Sequence, residues 1–171
     1  MVPRKKRAYQ LLEWVGSDKL TLVDPARGWP SYFDCKVGTQ TVRIAAYLAG
    51  IGLSHRGRDD RERRFQNPAK GHPVVPPKSG EIPFMLGMTT EFNKQRTLVG
   101  MNAYKRIGKH TRQSLFVPLS LLQGVVGEKW QEHVNTADER LVAFVPELLP
   151  RFIEDYRNER APGGAQGDLG F

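Results

Sequence analysis

Cysteine is almost missing from this 171-residue chain, where Cys35 stands alone, and that excludes an internal disulfide and a cysteine-rich zinc site. Long apolar runs are missing as well. None approaches the ~18 to 20 residues that span a bilayer, and the basic start lacks the apolar stretch of a secretory signal. These absences predict a cytoplasmic protein with no membrane contact, in which Cys35 is a small packed residue of a reducing compartment. Catalytic signatures are equally scarce. His55, His72, His110 and His133 show no His-Glu-x-x-His spacing, and there is no phosphate loop, nucleophile elbow or dinucleotide glycine fingerprint. No cofactor, no metal and no catalytic residue are therefore expected. Asp34-Cys35-Lys36 has the ending of a nuclease-like pattern, but so short a motif arises by chance. A compact metal-dependent nuclease using Asp34 or Asp59 is the enzymatic alternative.

Acidic residues are in short supply over most of the chain. Residues 1 to 120 carry 21 Lys and Arg against 9 Asp and Glu, a balance of +12, whereas residues 121 to 171 carry 5 against 9, a balance of −4. A one-sided positive field speeds encounter with polyanions, and nucleic acid is the commonest of these in a cell. With 39% hydrophobic and 26% charged residues, the composition is that of a folded domain able to bury roughly 70% of the surface of its unfolded chain.

The run Arg4-Lys5-Lys6-Arg7 opposes a helix macrodipole, so residues 1 to 8 read as a phosphate-seeking basic arm ahead of a short helix bearing Leu11, Leu12, Trp14 and Val15. A turn-rich segment from Asp24 to Pro30 leads to an extended stretch at Tyr32 and Phe33, and Gln40 to Leu53 reads as a long strand. Ser54 to Ser79 is rich in arginine and proline and reads as one long loop. Short strands are expected at Ile82 to Met88, Thr97 to Met101 and Ser114 to Val117, arranged as a meander. A helix follows over Pro118 to Val126, then a strand over Leu141 to Val145 and a helix over Pro146 to Tyr156. These elements predict one α+β domain, residues 1 to 160, around a mixed or mainly antiparallel sheet with flanking helices. Residues 161 to 171 read as a Gly-rich flexible tail or linker.

Two basic segments stand out. Ser54 to Pro68 holds His55, Arg56, Arg58, Arg64 and Gln66, side chains suited to phosphates or to guanine O6/N7. Asn102 to Arg112 combines Lys105, Arg106, Lys109 and Arg112 with Tyr104 and no carboxylate, a pattern able to track a phosphate backbone. Both can also be read as solvated charge, and Tyr104 as a core residue with a satisfied hydroxyl. Trp29, Tyr32 and Phe33 either stack on bases or cover the end of the sheet.

At His55-Arg56-Gly57-Arg58-Asp59 and again over Leu98 to Phe116 the sequence resembles the sulfur-binding domain of modification-dependent, type IV McrA-like restriction endonucleases. That resemblance implies recognition of phosphorothioate-modified double-stranded DNA in a specific sequence, by a binding module whose separate HNH nuclease domain lies elsewhere in a longer protein. It places His55 and Arg56 at the DNA and implies a cavity around the sulfur built from a tyrosine and a proline ring. Tyr104 and Tyr32 are the candidate tyrosines, and Pro30, Pro68 and Pro83 the candidate rings. The adjacent Tyr-Pro pair of that family is absent here. Sulfur is larger, softer and more weakly hydrated than oxygen, so an apolar dimple favours it chiefly through the hydration an oxygen would lose, roughly 1 to 3 kcal/mol. A flipped modified base such as methylcytosine, held by Tyr32, Phe33 or Trp29, is the alternative binding mode.

Overall fold

The computed structural model describes residues 4–24, 30–53, 61–65, 74–108 and 115–159. Within them the chain forms α1 (Arg4–Val15), β1 (Leu20–Asp24), β2 (Ser31–Val37), β3 (Gln40–Leu53), β4 (Glu62–Phe65), β5 (Glu81–Thr89), β6 (Thr97–Asn102), β7 (Leu115–Pro118), α2 (Leu119–Glu128), β8 (Trp130–Val134), β9 (Arg140–Phe144) and α3 (Leu149–Glu159). Seven strands lie in the order β1-β2-β3-β5-β6-β9-β8, while β4 pairs with the far end of β3 and with β7. All pairings between these strands are antiparallel except β3 with β5. The fold is thus α+β around a mixed, mainly antiparallel sheet.

The core explains why β3 is a continuous apolar run, since Ile44 through Ala49 are all buried and both faces of the strand are covered. On one face Phe33, Ile44, Leu48, Phe84, Leu86 and Phe144 pack against Ala8, Leu11 and Val15 of α1 and Leu149, Phe152 and Ile153 of α3. On the other, Tyr47, Ala49, Met85, Val99 and Leu141 meet Phe65 of β4, Leu115 and Val117 of β7, and Leu121, Leu122 and Val125 of α2. The β4–β7 ladder and α2 therefore form the second cover of the sheet.

Five features differ from the sequence reading. The basic run Arg4 to Arg7 opens α1 rather than forming an arm. Leu11, fully buried, and Val15, 4% exposed, bring about 1.5 to 3 kcal/mol each, more than the ~0.3 to 1 kcal/mol by which an exposed cation opposes the macrodipole. The 54–79 stretch is interrupted by β4, whose sequence Glu-Arg-Arg-Phe hides the strand because a buried arginine takes an inward position. Strands β1 and β8, at the two edges of the long sheet, are short and largely polar outward, so their alternation is weak. The expected meander also fails at its third strand, because β7 pairs with β4 and not with β6. The last predicted helix divides into a 3₁₀ turn, Pro146–Leu148, and α3.

Candidate nucleic-acid interface

The strand register fixes where the two basic segments attach. Strand β3 ends at Leu53, opposite Arg63, and His55, Arg56 and Arg58 lie beyond it in 54–60, outside the described residues. Gln66 and Pro68, in 66–73, and Lys109 and Arg112, in 109–114, are likewise outside them. The 3₁₀ turn Tyr104–Arg106 follows β6, whose last residue Asn102 stands opposite Phe84, itself opposite Ala46 of β3. Ala46 and Leu53 are seven residues apart on one strand, roughly 23 Å at ~3.3 Å per residue. The N-terminal roots of the two segments thus sit at opposite ends of the central strands. Farther out, Phe65 pairs with Leu115, and Val74 bridges to Ile107 while its carbonyl accepts the Gly108 N–H at 2.9 Å. The described residues that flank 66–73 and 109–114 are therefore neighbours pairwise.

Several of the cations are committed to carboxylates. Arg106 donates from Nε and Nη2 to the two oxygens of Glu139, both at 3.1 Å, with only 13% and 10% of the two side chains exposed. Burial alone would raise the Glu139 carboxyl, yet the Arg106 fork and the Asn135 amide hold it below its ordinary value. Arg106 clamps the 3₁₀ turn to the start of β9, and Lys105 Nζ donates to the Asp138 carbonyl at 3.0 Å beside it. On β4, Arg63 grips Glu91 with contacts of 2.6 to 3.0 Å, while Arg64 alternates to the opposite side and is half-buried. Arg43 pairs with Asp34 across β2 and β3 at 2.6 Å.

Arg7 is different. Its half-buried side chain bonds only Gln10, at 3.1 Å, and its Nε is buried with no hydrogen-bond partner among the described residues. The guanidinium lies so close over Gly50 that a Cβ there would come within 2.3 Å of Nη2. Only hydrogen leaves room for the cation to reach the strand. Burial pulls its pKa down. A cation without a carboxylate partner among the described residues thus lies over Gly50, three residues from the end of β3.

The described cavity candidates do not converge as one cavity. Tyr32, Ala45 and Pro83 share one cross-strand row, but Pro30 and Pro83 are both buried, so neither ring is presented at the surface. Tyr32 is half-buried, and burial, then Glu81 and Asp24, raise its pKa. Phe33 is fully buried in the core, and Trp29 lies outside the described residues. Tyr104 stands elsewhere, half-buried, its phenol raised by burial. It walls a cavity of about 670 Å³ at the end of the sheet where β3 and β5 begin. Val42 and Ile82 supply apolar lining, Tyr156 the second aromatic, and Gln40, Thr41, Arg43, Glu81 and Arg157 the polar groups. Sequence reading singled out Tyr104 but not Gln40, Glu81 or Arg157, which are far apart in the chain and carry no local pattern.

Among the described residues no group of three His, Cys, Asp or Glu is placed to hold a metal, and no helix is long and apolar enough to cross a membrane. The fold and this arrangement define an α+β domain whose mixed sheet is covered on both faces and opens into an aromatic-walled cavity at one end. The family model for methylase-associated X1 matches residues 42–153, about two-thirds of the chain, and the chain belongs to that family. The match runs from Val42 in β3 to Ile153 in the first half of α3, and so includes both basic segments and part of the cavity. No curated protein and no solved structure matches the chain.

Proposed function

We propose that this chain is a DNA-recognition module of a restriction–modification system, reading modified double-stranded DNA in company with a methylase, and that it performs no chemistry of its own. Membership of a methylase-associated family supports the setting. The observation that carries DNA as the ligand is the placement of charge. Arg7, built into the fold over Gly50 with no carboxylate partner among the described residues, stands where the arginine-rich 54–64 segment leaves β3. Two carboxylates of the acidic C-terminal third are engaged toward the β8 edge of the sheet, where Arg140 bridges Glu132 at 2.9 Å and Asp155 at 2.7 Å. A half-buried cation with no counter-charge among the described residues favours a phosphate more than a solvated lysine does, because part of its desolvation cost has already been met.

The modification we assign first is a phosphorothioate, on the resemblance of His55 to Asp59 and Leu98 to Phe116 to sulfur-binding domains. A modified base is the second reading, favoured by the Tyr104 cavity. Titration of labelled duplexes, phosphorothioate-bearing, base-methylated and unmodified, distinguishes them. The sulfur reading expects tighter binding to the first, by roughly tenfold for 1 to 2 kcal/mol of lost oxygen hydration, with every affinity falling steeply as salt rises. Equal affinity for all three duplexes rejects recognition of a modification. Absence of duplex binding at low salt rejects the DNA reading altogether, and plasmid cleavage in magnesium or manganese rejects the non-catalytic one.

A further inference from the structure

Five aromatic rings form a column across the face of the sheet that α1 and α3 cover. Trp130 tilts against Phe144 at 5.7 Å, Phe144 stacks on Phe152 at 5.0 Å, Phe152 on Tyr156 at 5.8 Å, and Tyr156 on Tyr104 at 6.4 Å. The Trp130 end is closed, since the Arg151 guanidinium lies 4.0 Å from its ring centroid. The Tyr104 end is different. Among the described residues Tyr156 is its only ring or cation partner, and the ring is half-buried in the wall of the 670 Å³ cavity. Small-molecule sites occupy ~300 to 1,000 Å³ and combine an apolar lining with a few convergent polar groups. Here Val42 and Ile82 supply the apolar lining, and Gln40, Thr41, Arg43, Glu81 and Arg157 the polar groups, of which Arg43 is paired with Asp34. Arg157 at the rim has no carboxylate partner among the described residues and is held by Gln40 Oε1 at 3.0 Å. Glu81 uses Oε1 to accept the Lys78 N–H at 2.9 Å, which leaves Oε2 as an acceptor.

We propose that this cavity binds one nucleotide unit, its base stacked on Tyr104, its exocyclic amine donating to Glu81 and its phosphate paired with Arg157. An aromatic face open on one side takes any planar base. A carboxylate accepts from the amine of cytosine and offers nothing to thymine, which has only a carbonyl there. An arginine steadied by a neutral amide keeps its charge for a phosphate. The assignment goes beyond the DNA-reading proposal, because a free mononucleotide satisfies it as well as a base extruded from a duplex.

Calorimetric titration with dCMP, dTMP and deoxycytidine tests the chemistry, and a duplex carrying 2-aminopurine tests the source. Saturable dCMP binding is expected, with dTMP and deoxycytidine each at least about fivefold weaker. Tyr104→Ala weakens dCMP by about tenfold, Tyr104→Phe stays within twofold, and Arg157→Gln brings dCMP down to the deoxycytidine affinity. A rise in 2-aminopurine emission on binding, lost in Tyr104→Ala, marks an extruded base; dCMP binding without that rise marks a free nucleotide. The proposal is overturned if neither dCMP binding nor the emission rise occurs, or if folded Tyr104→Ala binds as the parent does. Should Tyr104→Ala fail to fold, Arg157→Gln decides: an undiminished preference for dCMP over deoxycytidine overturns the site. Duplex affinity with neither dCMP binding nor the emission rise removes this site alone, and dCMP binding without duplex affinity removes the DNA-reading proposal alone.

Discussion

The Tyr156 hydroxyl donates to the carbonyl of Pro83, tying the last helix to the first residues of a central strand. Proline is tolerated there because β5 meets β6 only from Phe84 onward, so Pro83 faces an edge with no ladder donor to satisfy. The same hydroxyl accepts the Ala103 N–H at 3.4 Å, and the ring stacks between Phe152 and Tyr104. Tyr156→Phe keeps the ring and strands the Pro83 carbonyl. A loss of about 1 to 2 kcal/mol is expected in urea unfolding, with an unchanged denaturant slope. Undiminished stability would mean that water replaces the hydroxyl at Pro83.

Arg63 and Glu91 are 28 residues apart in sequence, and their fork fastens β4 to the turn after β5. Arg63 is 11% exposed and Glu91 35% exposed, so solvent screens part of the pair and the cost of breaking it falls below the ~3 to 5 kcal/mol of a fully buried one. Arg63→Ala is expected to cost about 2 kcal/mol, and Arg63→Lys most of that, because an ammonium cannot form the two-pronged contact. A double-mutant cycle with Glu91→Gln isolates the pair, and a coupling near zero rejects the clamp.

How much of this was readable beforehand follows from where each signal resides. Strand β3 was legible to its ends, Gln40 to Leu53, because a long apolar run opening with β-formers is a local pattern. Strand β4 was not, since three of its four residues are charged and the inward Arg63 makes sense only once Glu91 is beside it. The site divides the same way. Tyr104 was visible as an aromatic among cations, whereas Gln40, Glu81 and Arg157 meet it only through the parallel pairing of β3 with β5 and the return of α3. Arg106 shows the converse error of local reading: a cation in a basic segment proves to be held by Glu139, 33 residues on.

The Arg106–Glu139 pair also gives a pH dependence of defined sign. The Glu139 carboxyl titrates below its ordinary value when folded, so its contribution is fully present above the unfolded value and is lost as pH falls through the folded one. Glu139→Gln is expected to be less stable than the parent at pH 7 by about 3 kcal/mol, since it leaves Arg106 buried without a counter-charge. It should also lose less stability between pH 7 and pH 3. Parallel curves for the two proteins across that interval would contradict the assignment.

Cys35 is fully buried in the core, and burial pushes its thiol up to about 11, with Lys19 opposing. Neither exposure nor thiolate character favours reaction near neutrality. Its alkylation at pH 8 is therefore expected to follow opening of the fold, accelerating in step with added urea. Cys35→Ala should be tolerated at about 1 kcal/mol, whereas Cys35→Ser buries a hydroxyl among apolar neighbours and costs more. Rapid labelling of the native protein would show that β2 opens independently of the rest.

Gly100 is the position where a single methyl group tests the packing of the whole helical face. It lies on β6 between Leu86 of β5 and Val142 of β9, and a Cβ there would come within 2.3 to 2.9 Å of three atoms of the Phe152 ring. Phe152 cannot yield cheaply, because its ring stacks on Phe144 at 5.0 Å on one side and on Tyr156 at 5.8 Å on the other. Gly100→Ala must then push α3 outward or break the aromatic column. Either route costs about 1 to 3 kcal/mol, against a gain of ~0.4 to 1 kcal/mol from the stiffer unfolded chain. Net destabilisation is expected, restored in part by Phe152→Leu in the same chain. If Gly100→Ala alone raises the unfolding midpoint, the ring does not rest against β6 and the column lacks its middle member.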